Sequence, residues 1–344
     1  MILWDSAVHY RSPYTTYLPL VLTLAGAQMF PFTKVGARSG KVGQIGTVEE
    51  NNMQQLAEEL QKAFRTVGFA YIKNHGIPSE KIASIFELGD YFFQLDDDIK
   101  QKYARPASGS GHGWVAFERE KVSSDRPADR KEAFNITEPC NEQRLWPDDK
   151  VPGFQSEMES FFKLCGDLSL KILNIMALGL ELEDSEIFTK THKDMESTKN
   201  ATTLRLLHYP SIKEESDIKP GQIRCGEHTD YGSITLLFQD EMPGLEVLPL
   251  GYEEYIPAPP LPGAIVVNVA DLMQRWTADK LKSTRHRVSI PAEEFHRHVP
   301  RRSLVFFVHP DDETLVKCLD GSEKYPAVTA HNYLWQRLNA TYEY

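Results

Sequence analysis

Two histidines and an aspartate in this chain have types and spacing suited to a metal site. His228 and Asp230 lie two positions apart, and side chains two apart in an extended chain point to the same side, so both could grip one face of a metal ion. The third candidate ligand is His286, in a β-rich run at 285–290. Alternation along that run places His286 on an apolar face. We therefore expect its imidazole to point into the interior and to join the other two side chains.

The types of these three side chains predict which metal would bind. Two imidazoles and one carboxylate leave adjacent positions open on an Fe(II) ion, as an oxygenase needs for a bidentate cosubstrate and O2. A hydrolytic zinc site would also require a general base, of the kind that the helical HExxH motif supplies, and the sequence contains no such motif. A second HxD motif at 309–311, with His331 downstream, is broken by a proline and followed by no Arg-x-Ser. We expect no metal there.

Arg301 and Ser303 could bind a carboxylate beside that metal. They lie two apart on a predicted strand, and a guanidinium with a hydroxyl can hold a carboxylate through charge-assisted hydrogen bonds. The distal carboxylate of 2-oxoglutarate suits such a clamp. Tyr209 offers a phenol that could reach the same ligand. Arg205 lies four positions before it, so the two side chains would share one face of an extended strand. Arg301 and Arg302 alone would more often be surface cations, but the metal motif upstream favours the clamp.

The first half of the chain, which must support these residues, is patterned mainly for helices. Apolar residues at helical spacing predict an amphipathic helix that begins at a capping box at 47–50 and stops at Gly68. A short strand at 69–72 and a helix capped by Ser79 follow. A further apolar stripe predicts a long helix over 158–176, packed on a sheet.

From about residue 202 onward, short β-rich runs alternate with proline and glycine clusters. The runs cover 234–238, 264–269, 285–290 and 303–308. This pattern of short strands and turns predicts a β-sandwich or a jelly roll.

The glycine-rich segment Ala107–Trp114 raises the possibility of a phosphate site. It lacks the Gly-Lys-Ser or Gly-Lys-Thr ending of a P-loop, and no strand and helix clearly frame it. We predict a mobile surface or entrance loop instead.

The composition of the chain limits the classes of partner that it could bind. The chain has 38 basic and 49 acidic residues, a net charge of −11, which disfavours nucleic acid and anionic lipid surfaces. No segment approaches the roughly 18 uninterrupted apolar residues of a membrane span. We expect a small-molecule substrate, with no nucleic acid, membrane or obligate protein partner.

Cysteine usage bears on the compartment. The four cysteines lie far apart and form no CxxC pair, which is typical of a protein in the reducing cytosol. The apolar segment Leu18–Ala27 could alternatively end a signal peptide, but Asp5 offsets Arg11 and the stretch lacks the usual cationic flank. We predict a cytoplasmic protein.

Beyond the metal and clamp residues, ordered motifs from about residue 44 to the C-terminus resemble one known family. The matching segments are VGFAYIKNHGIP (67–78), DRKEAFNI (129–136), LRLLHYP (204–210), HTDYGSITLLFQD (228–240), NVADLMQRWT (268–277) and YPAVTAHNYLWQRLNATY (325–342). They resemble the isopenicillin-N-synthase-like branch of the iron(II)/2-oxoglutarate-dependent dioxygenases, which includes plant hormone and flavonoid oxidases and fungal thymine hydroxylase.

The resemblance implies a mixed α and β fold, with a double-stranded β-helix (jelly-roll) core and flanking helices. It implies four regions: an uncertain N-terminal extension (1–40), a mostly helical N-terminal dioxygenase region (41–195), the β-helix core (196–310) and a C-terminal helical segment packed on that core (311–344). It also implies Fe(II), 2-oxoglutarate and O2 as metal and cosubstrates.

Residue roles follow from the same resemblance. It implies that His228, Asp230 and His286 bind the iron. It implies that Arg301, Ser303 and Tyr209 hold 2-oxoglutarate. The positions that face the substrate in nucleobase-hydroxylating relatives correspond to Arg205, Tyr231 and Phe307.

The chain differs from the family pattern at two positions. Leu207 replaces an asparagine that helps to bind the cosubstrate in many plant members, and Ala270 replaces a common glycine. Neither change removes a required ligand.

The substrate itself is less constrained by the sequence. Aromatic residues that could lie beside Arg205 are Phe117, Phe134 and Phe307, which suggests a small molecule with a flat part and a polar handle, although an aromatic residue in a β-rich core is more often packing. The reaction could be hydroxylation, desaturation or ring closure. Two other readings stay open: an oxidase of the same fold that does not use 2-oxoglutarate, and a catalytically silent binding protein.

Overall fold

The computed structural model describes residues 21–23, 48–106, 111–139, 141 and 144–341. The helices α1 to α8 span Val48–Thr66, Ser79–Phe93, Asp97–Lys100, Phe154–Gly179, Ile187–Thr191, Asp271–Trp276, Glu294–Arg297 and Ala330–Thr341. The strands β1 to β14 span Val21–Thr23, Phe69–Lys73, Gly113–Val115, Glu132–Thr137, Thr203–Tyr209, Cys225–His228, Ile234–Gln239, Leu245–Leu248, Ile256–Pro257, Ala264–Val269, Arg285–Val288, Arg301–Val308, Leu315–Val316 and Val328–Thr329. Short 3-10 helices lie at Gln101–Tyr103 and Glu215–Asp217.

Two sheets carry most of the strands. The larger has eight strands in the order β1-β2-β10-β7-β12-β5-β4-β3, and the smaller has four in the order β6-β11-β8-β9. The strands of both sheets pair antiparallel with their neighbours, apart from β1, which runs parallel to β2. The fold is therefore mixed α and β with mainly antiparallel sheets.

The larger sheet has two different faces because side chains alternate along each strand. One face packs under the helices: Phe161 and Phe162 of α4 lie with ring centroids 5.3 Å from Phe238 and 4.9 Å from Phe306. The other face meets the smaller sheet in a second buried cluster, which includes Tyr209 with residues of β6, β8 and β11. The space between the sheets is thus where residues from both can converge.

The first helix ends where the sequence predicts. α1 stops at Thr66, and Gly68 follows with φ +77°, a left-handed conformation that glycine adopts without a steric penalty. A Cβ at Gly68 would also lie 2.3 Å from the carbonyl oxygen of Lys282. Glycine is needed here both for the turn and for the close approach of the segment that leads to β11.

Two local predictions need correction. The second helix begins at Ser79, but its N-cap is Pro78 and no side chain caps it, so Ser79 is the first helical residue. The predicted glycine-rich loop lies partly outside the described residues, and its last two residues belong to β3 because Trp114 pairs with Phe134. The capping box at 47–50 lies at the edge of the described chain, and the apolar segment at 18–27 lies outside it except for β1.

None of the helices in the described ranges is long and apolar enough to cross a bilayer.

Candidate metal centre and cosubstrate site

The three predicted metal ligands meet between β6 and β11 of the smaller sheet. His228 at the end of β6 is the antiparallel partner of His286 on β11, and their ring centroids lie 4.2 Å apart. Asp230 follows two residues later, with its Oδ1 atom 3.8 Å from the Nε2 atom of each histidine. One ligand atom from each residue lies within 4.8 Å of the other two. These separations suit donors placed around one ion.

Backbone hydrogen bonds set which imidazole nitrogen faces the centre. His228 Nδ1 donates to Gly226 O at 2.8 Å, and His286 Nδ1 donates to Thr284 O at 3.1 Å. Each bond fixes the tautomer that leaves Nε2 as a lone-pair donor, which is how metal-bound histidines are usually oriented. Burial, followed by the nearby His286, lowers the pKa of His228 to about 4. His228 is therefore neutral at physiological pH and able to bind a metal.

Two residues that the sequence reasoning missed orient Asp230. Its Oδ2 atom accepts hydrogen bonds from Thr235 Oγ1 and Asn268 Nδ2, each at 2.7 Å. Oδ1 is left facing the two imidazoles. Burial alone would raise the pKa of Asp230, but the histidines and these hydrogen bonds together lower it, so the carboxylate is ionised. In the sequence, Asn268 could have been noticed only because it begins one of the motifs that resemble the family.

The donor set fits Fe(II). Two imidazole nitrogens and one carboxylate oxygen converge from one side, which is the arrangement of the facial triad of non-haem iron oxygenases. The second HxD motif does not form such a set within the described residues. Asp311 instead accepts hydrogen bonds from Asn200 and from the backbone of Asp194.

The candidate cosubstrate residues lie together on the neighbouring sheet. Arg301 on β12 pairs with Tyr209 on β5, and its guanidinium lies 5.1 Å from the centre of the Tyr209 ring. Arg301 and Ser303 share one face of β12, with Nη1 3.5 Å from Ser303 Oγ. Burial raises the pKa of Tyr209, so its phenol stays protonated. Leu207 lies opposite Ser303 on this same face.

Arg301 is a buried cation with no carboxylate beside it in the described chain. The side chain is 1% exposed, its Nη2 donates to the neutral amide oxygen of Gln239 at 2.8 Å, and its Nε has no hydrogen-bond partner among the described residues. A buried charge without a counter-ion is costly. An anionic ligand would offset that cost.

Three of the five predicted substrate residues lie near these groups. Phe307 is the β12 neighbour of Thr235, which itself binds Asp230. Tyr231 follows Asp230 directly, and its ring lies 5.0 Å from the guanidinium of Arg337. Arg205 is on the Tyr209 face of β5 and donates to Glu120 Oε2 at 2.5 Å. Glu120 is a further residue that the sequence reasoning missed.

The other two predicted residues are placed differently. Phe134 lies on the opposite face of β4 from Asn135, the partner of Arg205, and packs against Phe92 with ring centroids 4.9 Å apart. The prediction of a substrate contact for Phe134 is therefore wrong, because this ring belongs to the core under the helices. Phe117 lies in the segment after β3 and is 38% exposed, with Arg130 over its ring.

Comparison with known proteins identifies the family. Residues 42–164 match the model described as non-haem dioxygenase in morphine synthesis N-terminal, and residues 201–310 match the 2OG-Fe(II) oxygenase superfamily. The proline hydroxylase buaE of Petromyces alliaceus is 35% identical over 311 residues, covering 84% of this chain and 94% of the relative. The 2-oxoglutarate-dependent dioxygenase htyE of Aspergillus rugulosus is 32% identical over 329 residues, covering 87% and 97%.

A solved structure is similar over the same span. The full-length thymine hydroxylase of Neurospora crassa in complex with α-ketoglutarate (2-oxoglutarate) superposes with a TM-score of 0.78 at 34% identity, covering 86% of this chain and 93% of that one. The same hydroxylase has also been solved with both α-ketoglutarate and thymine. The chain belongs to the 2OG-Fe(II) oxygenase superfamily and is a 2-oxoglutarate-dependent dioxygenase, an oxidoreductase that requires Fe(II), 2-oxoglutarate and O2.

Proposed function

We propose that this enzyme hydroxylates a small organic molecule at an iron centre held by His228, Asp230 and His286. The observation that carries the proposal is the position of these ligands in the space between two sheets, where the other wall presents the buried cation Arg301. When bound, the metal and 2-oxoglutarate supply the oxidising chemistry, in which O2 is consumed and succinate and CO2 are formed. Hydroxylation, rather than desaturation or cyclisation, is supported by the hydroxylase name of a 35% identical relative.

The roles of the chain's own side chains follow from their geometry. Nε2 of each histidine and Oδ1 of Asp230 would bind the ion from one side, leaving the opposite side for ligands. Arg301 and Ser303 would bind the distal carboxylate of 2-oxoglutarate, and the phenol O–H of Tyr209, beside the guanidinium, would donate a hydrogen bond to the same ligand. Burial of these groups excludes water, which strengthens each polar contact.

The substrate would lie between the metal ligands and three other side chains, Arg205, Tyr231 and Phe307. Phe307 offers a flat apolar surface, and the Arg205 side offers a polar one. Phe117 could border the entrance, because it is partly exposed. These contacts suit a small molecule with a flat part and a polar handle.

We assign the strands of the two facing sheets that lie within 196–310 to a double-stranded β-helix core. The proposed core spans 196–310, with the region 41–195 before it and the C-terminal segment 311–344, which contains β13, β14 and α8, after it. The antiparallel pairing and the buried cluster shared by the two sheets support this assignment. We also propose a cytoplasmic location, supported by the buried free thiols of Cys165, Cys225 and Cys318.

Substitution of Arg301 tests the cosubstrate assignment. Arg301→Ala removes the buried cation, and loss of a buried charge-assisted contact costs about 3 kcal/mol, so we expect the KM for 2-oxoglutarate to rise about 100-fold. Succinate formation at varied 2-oxoglutarate concentration measures this, with iron content determined in parallel. Arg297→Ala, at a surface ion pair with Glu215, is the control and should leave KM unchanged. An Arg301→Ala enzyme with the parental KM would refute the clamp.

A further inference from the structure

A group of buried charged side chains lies beside the candidate site and provides none of the candidate metal ligands. Glu120 Oε2 accepts a hydrogen bond from Arg205 at 2.5 Å and lies 3.6 Å from Lys131 Nζ. Lys131 in turn donates to Asp129 at 2.7 Å. Glu120, Asp129 and Lys131 are each less than 7% exposed. Charges this deeply buried are costly unless each is compensated.

This group bridges the two walls of the site. On one side, Asp129 Oδ1 accepts a hydrogen bond from the backbone N–H of Gly226 at 2.9 Å. The carbonyl oxygen of Gly226 in turn accepts a hydrogen bond from Nδ1–H of His228. On the other side, Arg205 lies on β5 beside Val305 of β12. Glu120 is therefore held between the strand that carries a metal ligand and the strand that carries the substrate-facing arginine.

The two carboxylate oxygens of Glu120 have different surroundings. Oε2 is close to both cations, whereas Oε1 is buried and has no hydrogen-bond partner among the described residues. Burial would raise the pKa of Glu120, but Arg205 and Lys131 outweigh it and lower the pKa to about 2, so the carboxylate is ionised. A buried ionised oxygen without a donor is uncommon and costly. Oε1 can therefore accept a hydrogen bond that the described residues do not supply.

We propose that Glu120 Oε1 accepts a hydrogen bond from an uncharged N–H or O–H group of the substrate and so determines substrate specificity. This inference rests on the proposed function, in which Arg205 faces the substrate.

The charges around Glu120 decide between a neutral and a cationic donor. The carboxylates of Glu120 and Asp129 are already balanced by Arg205 and Lys131, and Arg105 adds further positive potential at Glu120, so a substrate ammonium would add an unbalanced positive charge to a buried cluster. A neutral donor gains a charge-assisted hydrogen bond without that repulsion. The substrate class is therefore one with an amide, imide, ring N–H or hydroxyl group, rather than an amine.

Matched probes with and without N–H donors test this. The first pair is thymine and 1,3-dimethylthymine, the second is cyclo(L-Pro-Gly) and cyclo(L-Pro-sarcosine), and L-proline methyl ester is the cationic probe. Binding to the holoenzyme with Fe(II) and 2-oxoglutarate is measured by anaerobic calorimetry, and stimulation of succinate formation is measured in air. We expect an N–H member to bind at least 10-fold more tightly than its N-methylated twin and than the cationic ester.

The variant Glu120→Gln separates recognition from a structural role. If Glu120 recognises the donor, the preference for N–H over N–CH3 collapses towards unity in Glu120→Gln, while Glu120→Asp, which keeps the charge, retains part of it. If Glu120 only supports Arg205, both twins weaken together and their ratio is preserved. Glu118→Gln, on the same loop but paired with Lys219 and Gln222, is the matched control and should keep the parental ratio.

The outcomes distinguish this inference from the proposed function. Equal binding of the twins to the parental enzyme, tighter binding of the ester, a preserved ratio in Glu120→Gln, or no binding of either N–H probe would overturn the inference. Substrate-free conversion of 2-oxoglutarate to succinate tests the proposed function separately. If that conversion occurs but the probes show no preference for N–H over N–CH3, only the proposed role of Glu120 is refuted.

Discussion

At the scale of single residues, each candidate metal ligand has one atom fixed by a hydrogen bond and another aimed at its neighbours. The spacing of His228 and Asp230 and the alternation around His286 predicted this meeting, because strand geometry fixes which side chains share a face. Alternation does not say which distant residues come together, so Phe134 was expected beside Arg205 although its ring packs in the core. Glu120 was missed because it comes from an irregular segment, where local pattern gives no position.

The support of Asp230 by Asn268 gives a prediction at this scale. Asn268→Ala removes one of two hydrogen bonds to Oδ2, which frees the carboxylate to rotate away from the imidazoles. Loss of such an outer contact typically weakens metal binding by about 10- to 100-fold. Anaerobic Fe(II) titration measures the change.

The control for Asn268 is Asn332→Ala, at an exposed position on α8, which should bind iron as the parental enzyme does. Unchanged iron affinity in Asn268→Ala would mean that Thr235 alone orients Asp230.

At the scale of elements, the helix over 158–176 and the β-rich runs were predictable, and their ends were not. The long helix extends from Phe154 to Gly179, and the run predicted at 285–290 ends at Val288. Strand β6 was not among the predicted β-rich runs, because Cys225–His228 is short and polar and shows no hydrophobic alternation. Its strand character comes from pairing with β11, a contact between distant segments.

The packing of α4 on the larger sheet gives a second prediction. Phe162 is fully buried and its ring meets that of Phe306 edge to face. Phe162→Ala should lower the free energy of unfolding by about 3–5 kcal/mol, because it removes buried apolar surface and leaves a cavity. Urea unfolding measures this.

Phe295→Ala is the comparison for Phe162, since Phe295 is 71% exposed and its loss should cost less than about 0.5 kcal/mol. Equal effects of the two substitutions would contradict the placement of α4.

At the scale of the whole molecule, the chain does not divide into a helical half and a β half. Strands β2, β3 and β4 come from the N-terminal region, yet they belong to the same sheet as the clamp residues, where β2 pairs with β10 and β4 pairs with both β3 and β5. Sequence pattern detected one of these strands, at 69–72, but not its pairing. Long-range pairing of this kind depends on packing against distant strands rather than on local propensity.

Three buried histidines that are not candidate metal ligands predict how stability depends on pH. Burial lowers the pKa of His112, His192 and His309 to about 4, against about 6.5 in an unfolded chain. Between these values the unfolded chain binds more protons, so stability is full above about pH 6.5 and falls as the pH drops towards 4. Each histidine should cost on the order of 2 kcal/mol by pH 5.

Urea unfolding of the metal-free protein at pH 7 and pH 5 measures this loss. His192→Gln should reduce the difference between the two pH values, whereas His298→Gln, at an exposed position, should leave it unchanged. A free energy of unfolding that is the same at both pH values would show that these histidines are protonated in the folded protein.

The most direct measurement is iron content after anaerobic loading with Fe(II) and desalting. We expect about one iron per chain in the parental protein, and loss of that iron in His228→Ala, Asp230→Ala and His286→Ala. His331→Ala, beside the second HxD motif, should retain it. A folded His286→Ala protein that keeps stoichiometric iron with parental affinity would contradict the proposed centre.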